Sequence, residues 1–241
     1  MKNFYDKIIV NGDSYSALKD NFAYSTELEQ LLNVSVTNIA QPGSNNDRIA
    51  RTTIEQVLQE LPNSKKILVI VGWSFVRRIE VWYYGNSIKV INRIPDRNHQ
   101  PECNNPYFVT LDVLASLNEL TIEQKCLINE DLFVHKQLTD FYSNVYLVSQ
   151  FLQNHHVDYL FFSAAKNVEI PVNSFPYISN LEQVKQVLAD PRILDLHSFY
   201  IQDWAKHNDT QAHPVTGHLS RDGHSKFAKL LEEKINDLQS H

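Results

Sequence analysis

The sequence predicts an α/β fold in which a parallel sheet carries helices on both faces. Two observations predict it. Short apolar runs alternate with segments of helical period, giving strand–helix–strand–helix–strand from the start of the chain. The strongest of those runs, Lys66 to Gly72 (KILVIVG), has five consecutive Ile, Leu or Val residues and none of the alternation of a half-exposed strand.

The elements follow in order. Lys7 to Asn11 (KIIVN), cut off by Gly12, reads as a buried strand ending in a turn, and Ala17, Leu18, Phe22, Leu28, Leu31 and Leu32 then recur at roughly helical spacing. Val34 to Ala40 (VSVTNIA) reads as a second strand, and Ile49 to Leu61 as a second helix. After the third strand the pattern becomes irregular. Gly85-Asn86, between aromatic and β-branched runs in Val76 to Ile94, predicts a hairpin, and Asp96 to Asn105 reads as polar loop. Asp131 to Asn154 reads as helix, Val157 to Ser163 (VDYLFFS) as a fourth sheet strand and Glu182 to Leu188 as a short helix. Ser220 to Leu238 is the last helix, with Phe227, Leu230, Leu231 and Ile235 on one face. Residues 1–241 read as a single domain in which residues 76–150 form an irregular insertion.

A chain of 241 residues, 43% hydrophobic, can bury a sizeable core. The net charge is −6 with scattered basic residues, which argues against a nucleic-acid partner, since such partners need a clustered basic face. No stretch has the length of apolar sequence that a membrane span needs, and the first residues lack the apolar core of a signal peptide. Cys103 and Cys126 make neither a disulfide framework nor a metal site. These features predict a cytoplasmic protein.

Open α/β sheets bind ligands beyond the carboxyl ends of their strands. After the first strand stands Gly12-Asp13-Ser14, whose glycine permits a tight turn and puts Ser14 at the start of the next helix. A hydroxyl there can attack a carbonyl while its own N–H holds the developing oxyanion, although the same tripeptide also serves as an ordinary N-cap. After the second strand, Gly43 can bring a bare N–H to a ligand, with Asn45 and Asn46 beside it; a plain Pro-Gly turn reads the same way. The third strand ends in Gly72-Trp73-Ser74, and His213, His218 and His224 cluster ahead of and within the last helix. Their spacing is not that of a helical zinc motif, so a metal is not expected there.

Among the three histidines, His224 is held by the helix and does not face Asp222 two positions away, and His213 precedes Pro214, which favours extended backbone. His218, between Gly217 and the N-cap candidate Ser220, is free to project towards Ser14, to within about 3.5 Å if it is the base. Trp73, Arg77, Arg78, Trp82, Tyr83 and Tyr84 read either as a substrate wall or as a packed hairpin with solvated arginines.

The four segments IIVNGDSYS, NIAQPGSNN, VIVGWS and HLSRDGHSKFAKLL resemble, in order, the four blocks of the SGNH hydrolases, the GDSL-like esterases and lipases. The resemblance implies a flavodoxin-like three-layer α/β/α sandwich, Ser14 as nucleophile, Gly43 as oxyanion donor, His218 as base and His224 as a second, non-catalytic histidine. It implies an acyl-enzyme mechanism on a small-molecule or glycan ester, with no cofactor. Two positions depart from the family's pattern. Ser74 stands where the family has Asn, leaving Ser74 or Asn45 as the further oxyanion donor. Val215 stands where the family has Asp, leaving Asp209, the nearest upstream carboxylate, or a backbone carbonyl to orient His218. The same scaffold also suits a non-catalytic binding or structural domain, or an O-acyltransferase acting on a sugar hydroxyl.

Overall fold

Four of the apolar runs pair in parallel into one sheet. The computed structural model describes residues 4–19, 21–76, 78, 80–83, 107–110, 134–164, 176–194, 196, 199–213 and 217–239. Strands β1 (Lys7–Gly12), β2 (Ser35–Asn38), β3 (Ile67–Trp73) and β6 (Asp158–Ser163) are arranged β2-β1-β3-β6. Lys7 to Gly12 lie opposite Ile67 to Gly72, and Leu68 to Trp73 opposite Asp158 to Ser163. All seven residues of β3 are buried, as its uninterrupted apolar run requires of an interior strand with helices on both faces. Two further strands, β4 (Glu80–Tyr83) and β5 (Tyr107–Thr110), pair antiparallel as a separate ribbon.

The strand period of two divides the core. Ile9, Val69, Val71, Trp73 and Phe161 face helices α2 (Asn46–Glu60), α3 (Val134–Asn154) and α5 (Glu182–Ala189), meeting Ile49, Val57, Tyr142, Val145, Val184 and Val187. Ile8, Val10, Leu68, Ile70, Leu160 and Phe162 face α1 (Tyr24–Leu32), α6 (Ile201–Asn208) and α7 (Arg221–Gln239), meeting Leu28, Ile201, Phe227, Leu231 and Ile235. On this second side Phe227 is the hub, with Phe162, Tyr24 and Trp204 rings 5.3, 5.3 and 5.2 Å from its own. The result is a three-layer α/β/α sandwich with β1 and β3 adjacent at its centre. A short helix, α4 (Pro176–Ser179), completes the described elements. Among the described residues no helix is long and apolar enough to cross a membrane.

Three local expectations differ from what is found. The first helix does not begin near Ala17. Residues 14–16 form a turn, Lys19 and Phe22 exchange both backbone hydrogen bonds (3.0 and 2.9 Å), and Asn21 takes a left-handed φ of 60°, so the helix waits until Tyr24. Strand β2 stops at Asn38 because the Asn38 side-chain oxygen accepts the Ala40 N–H, turning the chain out of the ladder. The expected hairpin at Gly85-Asn86 and the loop from Asp96 to Asn105 lie outside the described residues.

Helix α1 starts at Ala23, which has no side chain able to cap it. The Ala23 N–H donates to Thr26 Oγ1, and the Tyr24 N–H donates to His224 Nδ1 at 3.2 Å. An imidazole from α7 thereby caps a helix remote in sequence, and it must be neutral at Nδ1 to accept. Burial pulls the His224 pKa down to about 4. A depressed histidine pKa stabilises the fold fully above its unfolded value and progressively less as pH falls through 6.5 towards 4. Urea unfolding should therefore show roughly 2–3 kcal/mol less stability at pH 4.5 than at pH 7.5 from this group. The His224→Gln variant should show a correspondingly smaller pH difference, which isolates the histidine from the carboxylates titrating over the same range.

Candidate active site

The carboxyl ends of β1 and β3 are joined by close packing. Gly12 and Gly72 are opposite one another, and Ser16 lies against both: a Cβ on Gly12 would stand 2.6 Å from Ser16 Oγ, and one on Gly72 2.7 Å from it. Side chains at either place would push the turn off the sheet. The turn itself is made by the Asp13 carbonyl, which accepts the N–H groups of Ser16 and Ala17 at 3.0 and 2.9 Å. Ser14 is thus presented half-buried at the strand end by a turn, and not by the first turn of α1 as the apolar spacing predicts.

Asp13 is completely buried beside it. Its Oδ1 accepts the Tyr15 N–H at 3.0 Å, and its Oδ2 accepts the Ser74 hydroxyl at 2.7 Å and Arg78 Nη1 at 3.0 Å. Arg78 Nη1 also reaches the Ser44 carbonyl (3.2 Å) and Ser74 Oγ (2.8 Å). Burial pushes the Asp13 carboxyl above its ordinary range, and Arg78, the Tyr15 N–H and the Ser74 hydroxyl pull against it. Asn46 completes the frame. Its side-chain oxygen accepts the Ser74 N–H (2.8 Å), and its amide donates to the carbonyls of Ser74 and Phe75 (3.3 and 3.2 Å). The Gln41 N–H donates to the Gly12 carbonyl at 3.1 Å. The ends of β1 and β3 and the loop before α2 are therefore tied at one buried polar cluster.

His218 comes from the other end of the chain. Gly217, in a left-handed φ of 66°, closes a small loop in which its N–H donates to the His213 carbonyl and the His213 N–H to the His218 carbonyl, at 2.8 and 2.9 Å. This aims His218 Nε2 at Ser14 Oγ, 2.8 Å away. The imidazole stacks on Tyr15, ring centroids 4.4 Å apart and planes 9° apart. Burial lowers the His218 pKa, and Asp13 opposes this while His213, Lys19 and Arg78 reinforce it. A ring so placed is neutral near pH 7, as a proton acceptor from serine must be. Of the other two histidines, His213 is exposed and His224 is committed to the α1 cap.

Three sequence expectations for this site are corrected. Asp209 does not orient the His218 ring. Its oxygens accept the Ser220 hydroxyl (2.7 Å), the Ser220 N–H (2.6 Å) and the Gln211 N–H (3.0 Å), which anchors the chain between His218 and α7. Burial alone would raise its carboxyl, and these donors hold it below the ordinary value. Gly223 is what admits it, since a Cβ there would lie 2.0 Å from Asp209 Oδ2. Ser74 does not offer its hydroxyl to an oxyanion, because that proton is given to Asp13. Asn45 does not reach in either: its oxygen caps α2 by accepting the Arg48 N–H, and its amide donates to Asp47. Val215 lies outside the described residues.

Gly43 has a φ of 81°, a conformation that favours glycine. Among the described residues, the N–H groups of Gly43 and Ser14 donate to no protein acceptor. Trp73 belongs to the core, edge-on to Phe161 and Phe141, and not to a substrate wall. Arg78 points inward to Asp13, while Arg77, Tyr84 and the side chains of Trp82 and Tyr83 lie outside the described residues. Among the described residues no three His, Cys, Asp or Glu side chains converge as a metal site. Sequence reasoning named Arg78 only as substrate wall or solvated side chain, not as the partner of Asp13, and missed Tyr15. An aspartate held at a strand end among apolar runs is a demand for a nearby cation, and that was the available signal for Arg78.

A family model for proteins of unknown function, DUF6071, matches residues 10–184. The chain belongs to the DUF6071 family. No curated protein matches it. Among solved structures it is similar to TesA, at a TM-score of 0.51 and 12% identity over 96% of this chain and 99% of that one. The esterase EstA from Pseudoalteromonas sp. gives 0.49 and 12%, covering 98% and 100%. An acetyl xylan esterase, AlAXEase, gives 0.47 and 13%, covering 95% and 99%. At such identity the likeness to TesA is one of fold, and this DUF6071 chain shares that three-layer fold.

The buried pair makes a stability prediction. Arg78→Met strands the Asp13 carboxylate without its cation, which should cost about 3–5 kcal/mol in urea unfolding. Adding Asp13→Asn to that variant should recover part of the loss, and a pair of purely additive effects would contradict the coupling.

Proposed function

We propose that the chain is a serine esterase acting through an acyl-enzyme. The observation that carries this reading is the 2.8 Å approach of His218 Nε2 to Ser14 Oγ at the carboxyl ends of the central strands. Ser14 Oγ bonds to the ester carbonyl carbon as its proton passes to His218 Nε2, and the carbonyl oxygen takes up the negative charge. The N–H groups of Ser14 and Gly43, unspent within the described residues, are suited to receive that oxyanion. His218 returns the proton to the leaving alkoxide as the C–O bond breaks. Water, deprotonated by the same imidazole, then releases the acid and restores Ser14. Asp209 serves by fixing the loop that carries His218, and Asp13 by fixing the turn that carries Ser14.

The substrate in this reading is an ester of a small molecule or a glycan, taken up beyond the strand ends by one domain spanning the chain, with residues 76–150 inserted within it. No cofactor enters the scheme.

Labelling with a fluorophosphonate probe tests the nucleophile. The wild type should label, Ser14→Ala should not, and the variant should unfold at the same urea concentration because residue 14 sits on a turn. Folded wild-type protein that takes up no probe would defeat the esterase reading. Among His213→Ala, His218→Ala and His224→Ala, the change at 218 should be the one that lowers kcat for p-nitrophenyl acetate by a large factor, on the order of 10⁴. The pH profile follows from the lowered His218 pKa: kcat/KM should rise with pH to a plateau whose midpoint lies below the ordinary histidine value of 6.5. A midpoint above 6.5 would contradict the environment described for the ring.

A further inference from the structure

Tyr15 follows the nucleophile in the chain, and its side chain is buried, 3% exposed. Its backbone N–H is held by Asp13 Oδ1, so its backbone is anchored to the aspartate whose carbonyl makes the Ser14 turn. The ring lies face to face with the imidazole of His218, 4.4 Å between centroids and 9° between planes. The stacked imidazole is the one whose Nε2 stands 2.8 Å from Ser14 Oγ.

A carboxylate beside a catalytic histidine does two things: it fixes the orientation of the ring, and it stabilises the imidazolium formed during reaction. The carboxylate of Asp209 is committed to Ser220 and Gln211. A broad aromatic face in van der Waals contact supplies both effects in another way. Parallel stacking prevents the imidazole from tilting out of plane, and the negative face of the phenol ring attracts a cation more than a neutral ring. Burial keeps the phenol itself neutral, raising its pKa to about 12.

We propose that Tyr15 is a positioning residue for His218, holding the imidazole plane in line with Ser14 and stabilising the imidazolium. Its catalytic consequence rests on the esterase reading; its effect on the histidine does not. As the Ser14 Oγ–carbon bond forms, the hydroxyl proton moves to Nε2, and the positive charge appears on the ring lying against Tyr15. When the proton leaves for the alkoxide, that charge and its stabilisation vanish together. Among the described residues, the other charged and titratable groups coupled to His218 are Asp13, which favours the charged ring, and His213, Lys19 and Arg78, which oppose it, with the neutral His224 also near. The Tyr15 N–H bond to Asp13 survives any non-proline substitution, so the turn keeps this backbone anchor when the side chain is replaced.

The test compares wild type, Tyr15→Leu, Tyr15→Phe and Tyr15→Trp in two measurements: NMR titration of the His218 imidazole, and kcat and KM for p-nitrophenyl acetate. Leucine keeps the ring covered but removes the π face. It should lower the His218 pKa and lower kcat about tenfold, with KM little changed. Phenylalanine should restore both relative to leucine, because the face and not the hydroxyl is what matters. Tryptophan, the stronger face, should raise the His218 pKa relative to leucine and keeps the test open should the leucine variant unfold. An unchanged titration and unchanged kcat in Tyr15→Leu would overturn the proposal, and so would Tyr15→Phe falling as far as Tyr15→Leu. A shifted titration in a protein whose wild type hydrolyses no ester would instead sink the esterase reading and leave the effect on His218 standing.

Discussion

The ion pair between Asp13 and Arg78 is the constraint on which the rest of the site depends. A carboxylate with no exposure is tolerable only if its charge is matched and its lone pairs are occupied. Arg78 supplies the charge, and Ser74 and the Tyr15 N–H supply the remaining hydrogen bonds. Each donor comes from a different piece of chain, so satisfying one buried group registers the end of β1, the end of β3 and the segment after it. The Ser44 carbonyl, also bound by Arg78, brings in the loop that carries Gly43. Nothing in this cluster needs to touch a substrate for it to decide where Ser14 sits.

The histidine side of the site is built on a separate anchor with the same logic. Asp209 gathers the N–H and hydroxyl of Ser220, and Gly223 leaves room for its carboxylate at the start of α7. The helix that follows is packed by Phe227, Leu231 and Ile235 against the sheet. His218 is therefore held a few residues ahead of a rigid element, and its approach to Ser14 joins two anchors that are remote in sequence. His224, one turn into that helix, adds a second tie across the same layer by capping α1. Both histidines are pushed towards the neutral form by burial, one where neutrality lets it accept a proton, the other where it lets it accept a helix N–H.

The departures from the SGNH pattern acquire a physical reading in this frame. Serine in place of asparagine at 74 puts a small hydroxyl where it can bridge Asp13 and Arg78, and the larger amide is supplied instead by Asn46, bonded to the backbone at Ser74 and Phe75. The polar group at the end of β3 is part of the support under the turn. The absence of aspartate at 215 is accompanied by an aromatic residue, Tyr15, next to Ser14 and stacked on His218.

Much of the architecture was legible in the residues taken alone. Continuous apolar runs such as Ile67 to Val71 can be stable only between two covered faces, so a central parallel strand follows from composition, and helical spacing locates α2, α3, α5 and α7 to within a few residues. Gly12, Ser14, Gly43 and His218 each read alone as a cap, a turn or a surface imidazole, and only their combination, which resembles the SGNH blocks, singled them out. The start of α1 could not be read from the residues, since Ala17, Leu18 and Phe22 keep a helical period while the Lys19–Phe22 backbone pair and the left-handed Asn21 break the helix. Nor could the partners of Asp13, Asp209 and His218. Periodicity and turn chemistry are local, and they determine which elements form and which faces are buried. Whether Asp209 binds a histidine or a helix start, whether Arg78 meets solvent or a carboxylate, and whether the Tyr15 ring meets an imidazole depend on distances between segments far apart in the chain. Those distances exist only once the two faces of the sheet are packed.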